Sequence, residues 1–464
     1  MNQKGVTVNK RNMAMIHYQV GEMDGVSLEM EKWKATFENM GHSVTFVAGH
    51  LGTAEGGLIE EIYHHTPLAE RLRHNMLWGF DDYASDDEYR RELEAASAVI
   101  EEKFTQFVEA NSINFLVAEN IWSVMANPAV ALAIGRVVEK FQMPTIAHSH
   151  DFYWEKIGHW YLTCATAVEL AQRWIPPRFD FVKHAVINQR SQQQLWQRKG
   201  IPSTVVPNIF EFDEVWTVDA YNHDFRQTVG LKDSDIVILQ GTRVVQRKGI
   251  ELAVDFVKAL NDPERRRQLA ASGLYDGRPF DGNTRIVLVM AGYTQDDDTG
   301  WYVEHLKQKI ERSGIDALFI EDWIGADRAT RNGRKQYSLW DAYVFADFVT
   351  YPSFWEGWGN QLLEALKAKL PILIYEYLVY EQDIKPHGFD LVSLGNHISG
   401  KDDLGLVQVE QKIIEEAADR AVRLLTDGEY RKAVVEKNYQ IAREHYSMDA
   451  LGIYLNDLMQ QFDE

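Results

Sequence analysis

Short apolar runs alternate with longer amphipathic ones along this chain. MAMIHY (13–18) is an apolar run that ends in the polar loop QVGEMDGV. Ser27 then opens SLEMEKWKATFENM, in which Leu28, Met30, Trp33, Phe37 and Met40 recur near helical spacing. Ser27 reads as the N-cap of that helix and Gly41 as its stop. SVTFVAG (43–49) returns as a strand, which completes a strand, loop, helix, strand unit. After a long polar helical insertion over about 67–110, NFLVAE (114–119) predicts a strand, PAVALAIGRVVEKF (128–141) a helix and PTIAHSH (144–150) a strand. VKHAVIN (182–188) and STVVPN (203–208) predict the last strands of a first doubly wound α/β domain.

A second series begins with the strand DIVILQGTR (235–243) and the helix GIELAVDFVKAL (249–260). RIVLVMAG (285–292), LFIEDWI (318–324), the segment AYVFADFVTYPS (342–353) and PILIYEY (371–377) continue it, and the chain from about 408 reads as helical. The domain boundary falls in the mixed acidic and aromatic segment NIFEFDEVWTVDAYNHD. The expected division is 1–208 for an N-terminal Rossmann-like domain and 209–440 for a C-terminal Rossmann-like domain, with 441–464 returning to the first domain. Two such domains are expected to face a cleft lined by the carboxyl ends of their strands.

The length of 464 residues suits two domains of roughly 200 residues each. A content of 45% apolar and 12% aromatic residues is that of a chain with substantial cores. The net charge of −21 argues against a nucleic-acid partner and against stable docking on an anionic membrane. Cys164 is the one cysteine, so no internal disulfide forms, which fits a cytoplasmic location. The N-terminal stretch shows no secretion signal, and no uncharged stretch reaches the ~20 residues that span a bilayer.

Two stretches carry chemistry. In GTRVVQRKG (241–249), Arg243 and Lys248 follow a strand and Gly249 opens a helix. Two cations beside a helix N-terminus suit a diphosphate, although alone the loop also reads as a solvated basic surface. In FWEGWGNQLLEAL (354–366), Gly357 and Gly359 allow close backbone approach to a ligand. The backbone N–H groups of Gly359, Asn360 and Gln361 are the free donors of the next helix. Glu364 sits one turn further in, where a carboxylate can accept two adjacent ribose hydroxyls or simply pair locally.

Together these stretches resemble the retaining glycosyltransferases of family 4, which have the GT-B fold. The family's two glutamates separated by seven residues match Glu356 and Glu364, with Pro371 placed as in the family. Its upstream Arg and Lys match Arg243 and Lys248, with GTR standing where GR is usual. The resemblance implies that Arg243 and Lys248 neutralise the donor diphosphate and that Glu364 binds ribose. Glu356 would contact the transferred hexose, backbone donors from Trp358 to Leu362 would hold sugar and phosphate, and Ile324 would meet the base.

In the first domain the resemblance places Gly25 near the diphosphate. It places Gly21 and Asp24, with Asp151 and Trp154, on the acceptor side. His148 or His150 would face the donor hexose in the cleft, and both readings stay open. HSH lacks further Cys or His ligands nearby, so no metal site is expected there. The DDD run at 296–298 reads as a solvated acidic loop. Trp33 reads as core, while Trp355 and Trp358 are candidates to line a sugar site.

The nearest likeness is to a soluble subgroup that includes mannosylglucosylglycerate synthases and, more distantly, sucrose-phosphate synthases. It implies transfer of a hexose from GDP-mannose or UDP-glucose to a small soluble acceptor such as glucosylglycerate. No cofactor beyond the donor is expected, with Mg2+ a stimulant at most. Alternatives on the same fold are transfer to a sugar phosphate, a nucleotide-sugar epimerase and a phosphorylase; a noncatalytic sugar-nucleotide-binding protein is a further one.

Overall fold

In the computed structural model the first parallel sheet is built from the apolar runs read above, each only a few residues long. The structure describes residues 10–462 apart from 23, 156–160, 295, 296, 298 and 332. Residues 1–9, over which part of the signal-peptide reading runs, and Asp296 and Asp298 of the acidic loop lie outside the described residues. The chain divides into two compact units, Met1–Ile209 with Met448–Glu464, and Phe210–Ser447.

Unit 1 carries seven strands: β1 (Asn12–His17), β2 (Ser43–Ala48), β3 (Gly56–Leu58), β4 (Phe115–Glu119), β5 (Thr145–Ser149), β6 (Val182–Val186) and β7 (Ser203–Val205). Their order is β3-β2-β1-β4-β5-β6-β7, and every neighbouring pair is parallel. In β1, alternate side chains go to opposite faces, as a parallel sheet covered on both sides requires. Ala14 and Ile16 join a core with Tyr89, Ile100 and Ile134 from the helices Asp86–Ala110 and Pro128–Phe141. Met13 and Met15 join a second core with Trp33 and Phe37. The helix Met448–Gln460 closes that second core with Leu451, Leu455 and Leu458.

Unit 2 repeats the plan with β8 (Ile236–Gln240), β9 (Ile286–Met290), β10 (Asp316–Phe319), β11 (Phe348–Tyr351), β12 (Ile372–Ile374) and β13 (Val392–Ser393). Its order is β10-β9-β8-β11-β12-β13, again parallel throughout. The helices Ile250–Leu260 and Gln411–Thr426 pack over Ile236, Ile238, Ile286 and Leu288 on one face. Both sheets therefore have an inner pair of strands, β1 and β4 or β8 and β11, from which the chain winds outward in both directions. Loops diverge at the carboxyl ends of such a pair and leave a crevice.

Two local expectations change. The first helix runs Gly25–Asn39 and is capped by Asp24, not by Ser27. Asp24 Oδ1 accepts the N–H groups of Val26 and Ser27, each at 3.0 Å, while the Ser27 hydroxyl donates to Asp24 Oδ2 at 2.6 Å. The carboxylate accepts two backbone donors at once, which one hydroxyl cannot match. The run 318–324 is also not one strand: β10 ends at Phe319, a single turn spans Glu321–Trp323, and Ile324–Gly325 pairs with Tyr337–Ser338 in a separate small sheet.

Candidate functional site

Lys248 leaves the loop after β8 and Glu356 the loop after β11, so the inner strand pair of unit 2 brings them together. Lys248 Nζ and Glu356 Oε1 form an ion pair, and Arg247 Nη1 lies 2.8 Å from Glu356 Oε2. Lys248 is 2% exposed and Glu356 8%. Burial pushes the Lys248 ammonium below its usual range, and Arg247 and Arg243 add to that, against the pull of Glu356. Burial alone would raise the Glu356 carboxyl; Lys248 and Arg247 outweigh it and hold the group ionised. Arg243 stands exposed on the same loop.

The approach of the two loops depends on Gly249. It adopts φ +60°, and a Cβ there would stand 2.3 Å from the Pro352 carbonyl oxygen. Phe354 N–H donates to the Arg247 carbonyl at 2.9 Å and ties the loops directly.

Further along, the helix Asn360–Lys367 starts at Gly359, whose φ of 128° no side-chain-bearing residue adopts readily. Leu362, Leu363, Ala365 and Leu366 are buried, which anchors the helix. Glu364 is 9% exposed, and its Oε2 accepts the Tyr343 hydroxyl at 3.0 Å. Tyr343 comes from the short helix Leu339–Val344, and Gly241 leaves room for its hydroxyl: a Cβ at 241 would lie 2.9 Å from that oxygen. Unit 2 thus sets Lys248 against Glu356 at the carboxyl ends of β8 and β11, and carries Gly359 and Glu364 on the segment that follows β11. Trp358 is 4% exposed and packs edge-on against Tyr446 at 5.4 Å, so its ring belongs to the core; Trp355 is 38% exposed beneath Arg247. Ile324 is buried in the small sheet. Asp297 of the acidic run accepts the Val303 N–H at 3.0 Å, an ordinary helix-start contact.

In unit 1 the carboxyl ends of β4 and β5 hold a buried cluster. His148 Nδ1 lies 2.9 Å and His150 Nε2 3.3 Å from Glu119 Oε2. Burial opposes charge on all three groups, but the two imidazoles overcome it at Glu119 and pull its carboxyl down to about 2. Burial pushes His148 down, while Glu119 lifts His150 above the usual histidine range. The Trp33 ring stacks on His148 with centroids 4.2 Å apart, so Trp33 is both core and a wall of this cluster. His17, at the end of β1, hydrogen-bonds through Nδ1 to the Glu119 carbonyl at 2.7 Å.

Gly21 takes φ +71° where the loop after β1 meets the loop after β2, with Thr53 N–H donating to its carbonyl at 3.1 Å. Gly25 is the first residue of the helix that Asp24 caps. Asp151 follows His150 directly and is half-buried. Trp154 stacks on Phe152 at 4.3 Å and donates to Gln194 Oε1 at 2.9 Å, so it is fastened to the helix Gln189–Lys199.

The chain is 36% identical over 441 residues to a mannosylglucosylglycerate synthase of Thermotoga maritima, across 95% of this chain and 97% of the relative. It is 34% identical to a mannosylglucosylglycerate synthase of Petrotoga mobilis, across 89% and 93%. The chain belongs to the mannosylglucosylglycerate synthase family. No family model matches it. In fold, this mannosylglucosylglycerate synthase family member is similar to the sucrose-phosphate synthase of Thermosynechococcus elongatus, with a TM-score of 0.59 over 98% of this chain and 99% of that one, at 13% identity. It is a glycosyltransferase of GT-B fold. No helix among its described residues is long and apolar enough to cross a membrane.

Sequence reasoning missed three groups that this mannosylglucosylglycerate synthase family member places in its clusters. Arg247 stands beside Lys248 in a stretch already singled out, and its adjacency was the available signal. Tyr343 carried no signal: it lies 21 residues from Glu364 and reads as one more apolar position. Glu119 ends an apolar strand with a carboxylate, a pattern that flags a buried charge, but nothing in the spacing connects it to the histidines on β5.

Proposed function

We propose that this chain transfers a hexose, with retention, from a nucleotide diphosphate sugar to a small soluble acceptor, a sugar or a sugar acid. The observation that carries the reading is the convergence of Lys248 and Arg247 on Glu356 at the inner strand ends of unit 2. The names of the relatives favour GDP-mannose as donor and glucosylglycerate as acceptor, with UDP-glucose the other donor to test.

In this reading Arg243 and Lys248, joined by Arg247, face the donor diphosphate. The N–H groups of Gly359, Asn360, Gln361 and Leu362 add donors to its oxygens. Glu364, held by Tyr343, accepts the ribose hydroxyls, and Ile324 meets the base through its backbone. Glu356 accepts from a hexose hydroxyl and positions the sugar. The bond from the anomeric carbon to the diphosphate oxygen breaks, and the acceptor oxygen bonds to that carbon on the same face. The departing phosphate oxygen takes the acceptor's proton. The cations offset the charge that develops on the leaving group, which is where their stabilisation is largest. Unit 1 is the acceptor unit, through Gly21, Asp24, Asp151 and Trp154; the roles given to Gly25, His148 and His150 toward the donor are part of the same proposal. The setting is the cytoplasm.

The test is a donor screen by thermal shift, followed by mass spectrometry and anomeric NMR of products formed with sugar and sugar-acid acceptors. Release of nucleotide diphosphate that requires the acceptor, with a product of retained configuration, supports the reading. Inverted product, or donor turnover only to an epimer, overturns it.

A further inference from the structure

A cavity in unit 1 shares no residue with the donor and acceptor positions assigned above. Its volume is about 390 Å3, and it is lined from the turn Glu60–Ile62 and the helices Pro67–Leu77, Asp86–Ala110 and Pro128–Phe141. Leu72, Ala96 and Ile100 give it an apolar wall. Leu68 and Val99, also in its lining, are 37% and 43% exposed. Such a size and lining, mostly apolar with a few polar groups that converge, is that of a small-molecule pocket.

The polar groups are two acceptors that lack donors. Asn127 is 2% exposed and holds the N-cap position of the helix Pro128–Phe141, where an asparagine oxygen ordinarily accepts a helix N–H. Here it makes no such bond. Its Nδ2 donates to the Glu61 carbonyl at 3.0 Å and to the Ile62 carbonyl at 3.4 Å. Carbonyls only accept, so the nitrogen must face them and the amide cannot be turned round. Asn127 Oδ1 is left buried with no hydrogen-bond partner. Glu61 Oε1 pairs with Lys103, while Glu61 Oε2 is buried and also has no hydrogen-bond partner. Burial works to raise the Glu61 carboxyl, but Lys103 outweighs it and keeps the group ionised, below its usual range. Two buried acceptors on residues in direct contact, one of them charged, call for a donor that the chain does not supply. Water can serve the acceptors but leaves the apolar wall uncovered.

We propose that this cavity binds a small aliphatic amine in its ammonium form. The ammonium brings N–H donors and a positive charge to Asn127 Oδ1 and Glu61 Oε2, and the alkyl body covers Leu72, Ala96 and Ile100. Glu61 then serves two cations, one on each oxygen, as Glu356 does with Lys248 and Arg247. An alcohol of the same length has the body and one donor but no charge. A carboxylate of the same length meets Glu61 with like charge. The proposal does not rest on the transfer reaction assigned above.

The experiment uses the full chain, without donor or acceptor, titrated with hexylammonium chloride, hexanol or sodium hexanoate. Isothermal titration calorimetry and saturation-transfer NMR of the probe are the readouts. The expected result is saturable binding of hexylammonium at about one equivalent, roughly tenfold or more tighter than hexanol, and none of hexanoate. Glu61→Gln keeps the shape and removes the charge, so it should weaken hexylammonium roughly tenfold or more and leave hexanol within about twofold. Ala96→Phe fills the cavity from a half-buried position and should abolish binding of both. No saturable hexylammonium binding to the folded wild-type chain up to about 10 mM, well above a millimolar Kd, overturns the proposal. Equal affinity for hexylammonium and hexanoate overturns it too, as does hexylammonium binding that neither variant changes.

Discussion

Lys248 and Glu356, 108 residues apart in the chain, close into one buried ion pair at the carboxyl ends of neighbouring strands. The pair is costly to bury and strongly destabilising to split, because the surviving charge keeps its desolvation cost. A fold that keeps it at a strand-end crevice is using the charges for more than packing.

The first prediction concerns that pair. Lys248→Ala should lower kcat/KM for the donor at least about tenfold, a loss of about 1.4 kcal/mol of transition-state stabilisation. Initial-rate kinetics with donor varied at saturating acceptor measures it. Near-wild-type transfer would remove Lys248 from the donor site.

The Tyr343–Glu364 contact gives the second. Glu364→Ala should also cost at least about tenfold in donor use. Tyr343→Phe keeps the carboxylate and removes one hydrogen bond that holds it, so a rise in donor KM smaller than the Glu364→Ala effect is expected. Equal effects from the two variants would argue against Glu364 as the group in contact with ligand.

Gly359 provides the third. Gly359→Ala places a Cβ 2.4 Å from the Tyr377 hydroxyl at a φ of +128°. The expected loss of stability is about 1–3 kcal/mol, read from urea unfolding. Tyr377→Phe removes the clashing oxygen, which otherwise donates to the Trp358 carbonyl at 2.8 Å. In the double variant the penalty should be smaller than the sum of the single ones; strict additivity would show that backbone strain alone sets the cost.

The fourth is a pH dependence. His184 is buried on β6 with its Nε2 hydrogen-bonded to the Pro177 carbonyl at 3.0 Å, and burial lowers its pKa from 6.5 to about 4. The neutral ring is favoured in the folded state, so its contribution is complete above pH 6.5 and is lost as pH falls from there toward 4. The full effect is about 3 kcal/mol. His184→Gln should flatten that part of the profile of unfolding free energy against pH. A variant profile parallel to wild type between those limits would contradict the assignment.

The strands were legible because each is a short, almost wholly apolar run, the signature of a parallel sheet covered on both faces. β1, β4, β8 and β9 match the expected runs to within about three residues at each end. The cap of the first helix was not legible, since Asp24 and Ser27 are both good N-caps and only the observed hydrogen bonds choose between them. β3 was missed as well: GGL carries no strand pattern, and it is held by pairing with Phe46–Ala48 rather than by its own preference.

The sequence by itself determined the class of the fold and the position of the chemistry-bearing loops, because hydrophobic period, glycine and charge act locally along the chain. It also supplied the family resemblance, through Glu356 and Glu364 with Arg243 and Lys248. The tertiary structure alone decided which distant groups meet. The order of β8 and β11 set Lys248 against Glu356, and the pairing of β4 with β5 set Glu119 between two histidines. It also withdrew Trp358 into the core. Pairing between strands is a long-range choice fixed by burial of whole faces, and no spacing within a single loop records it.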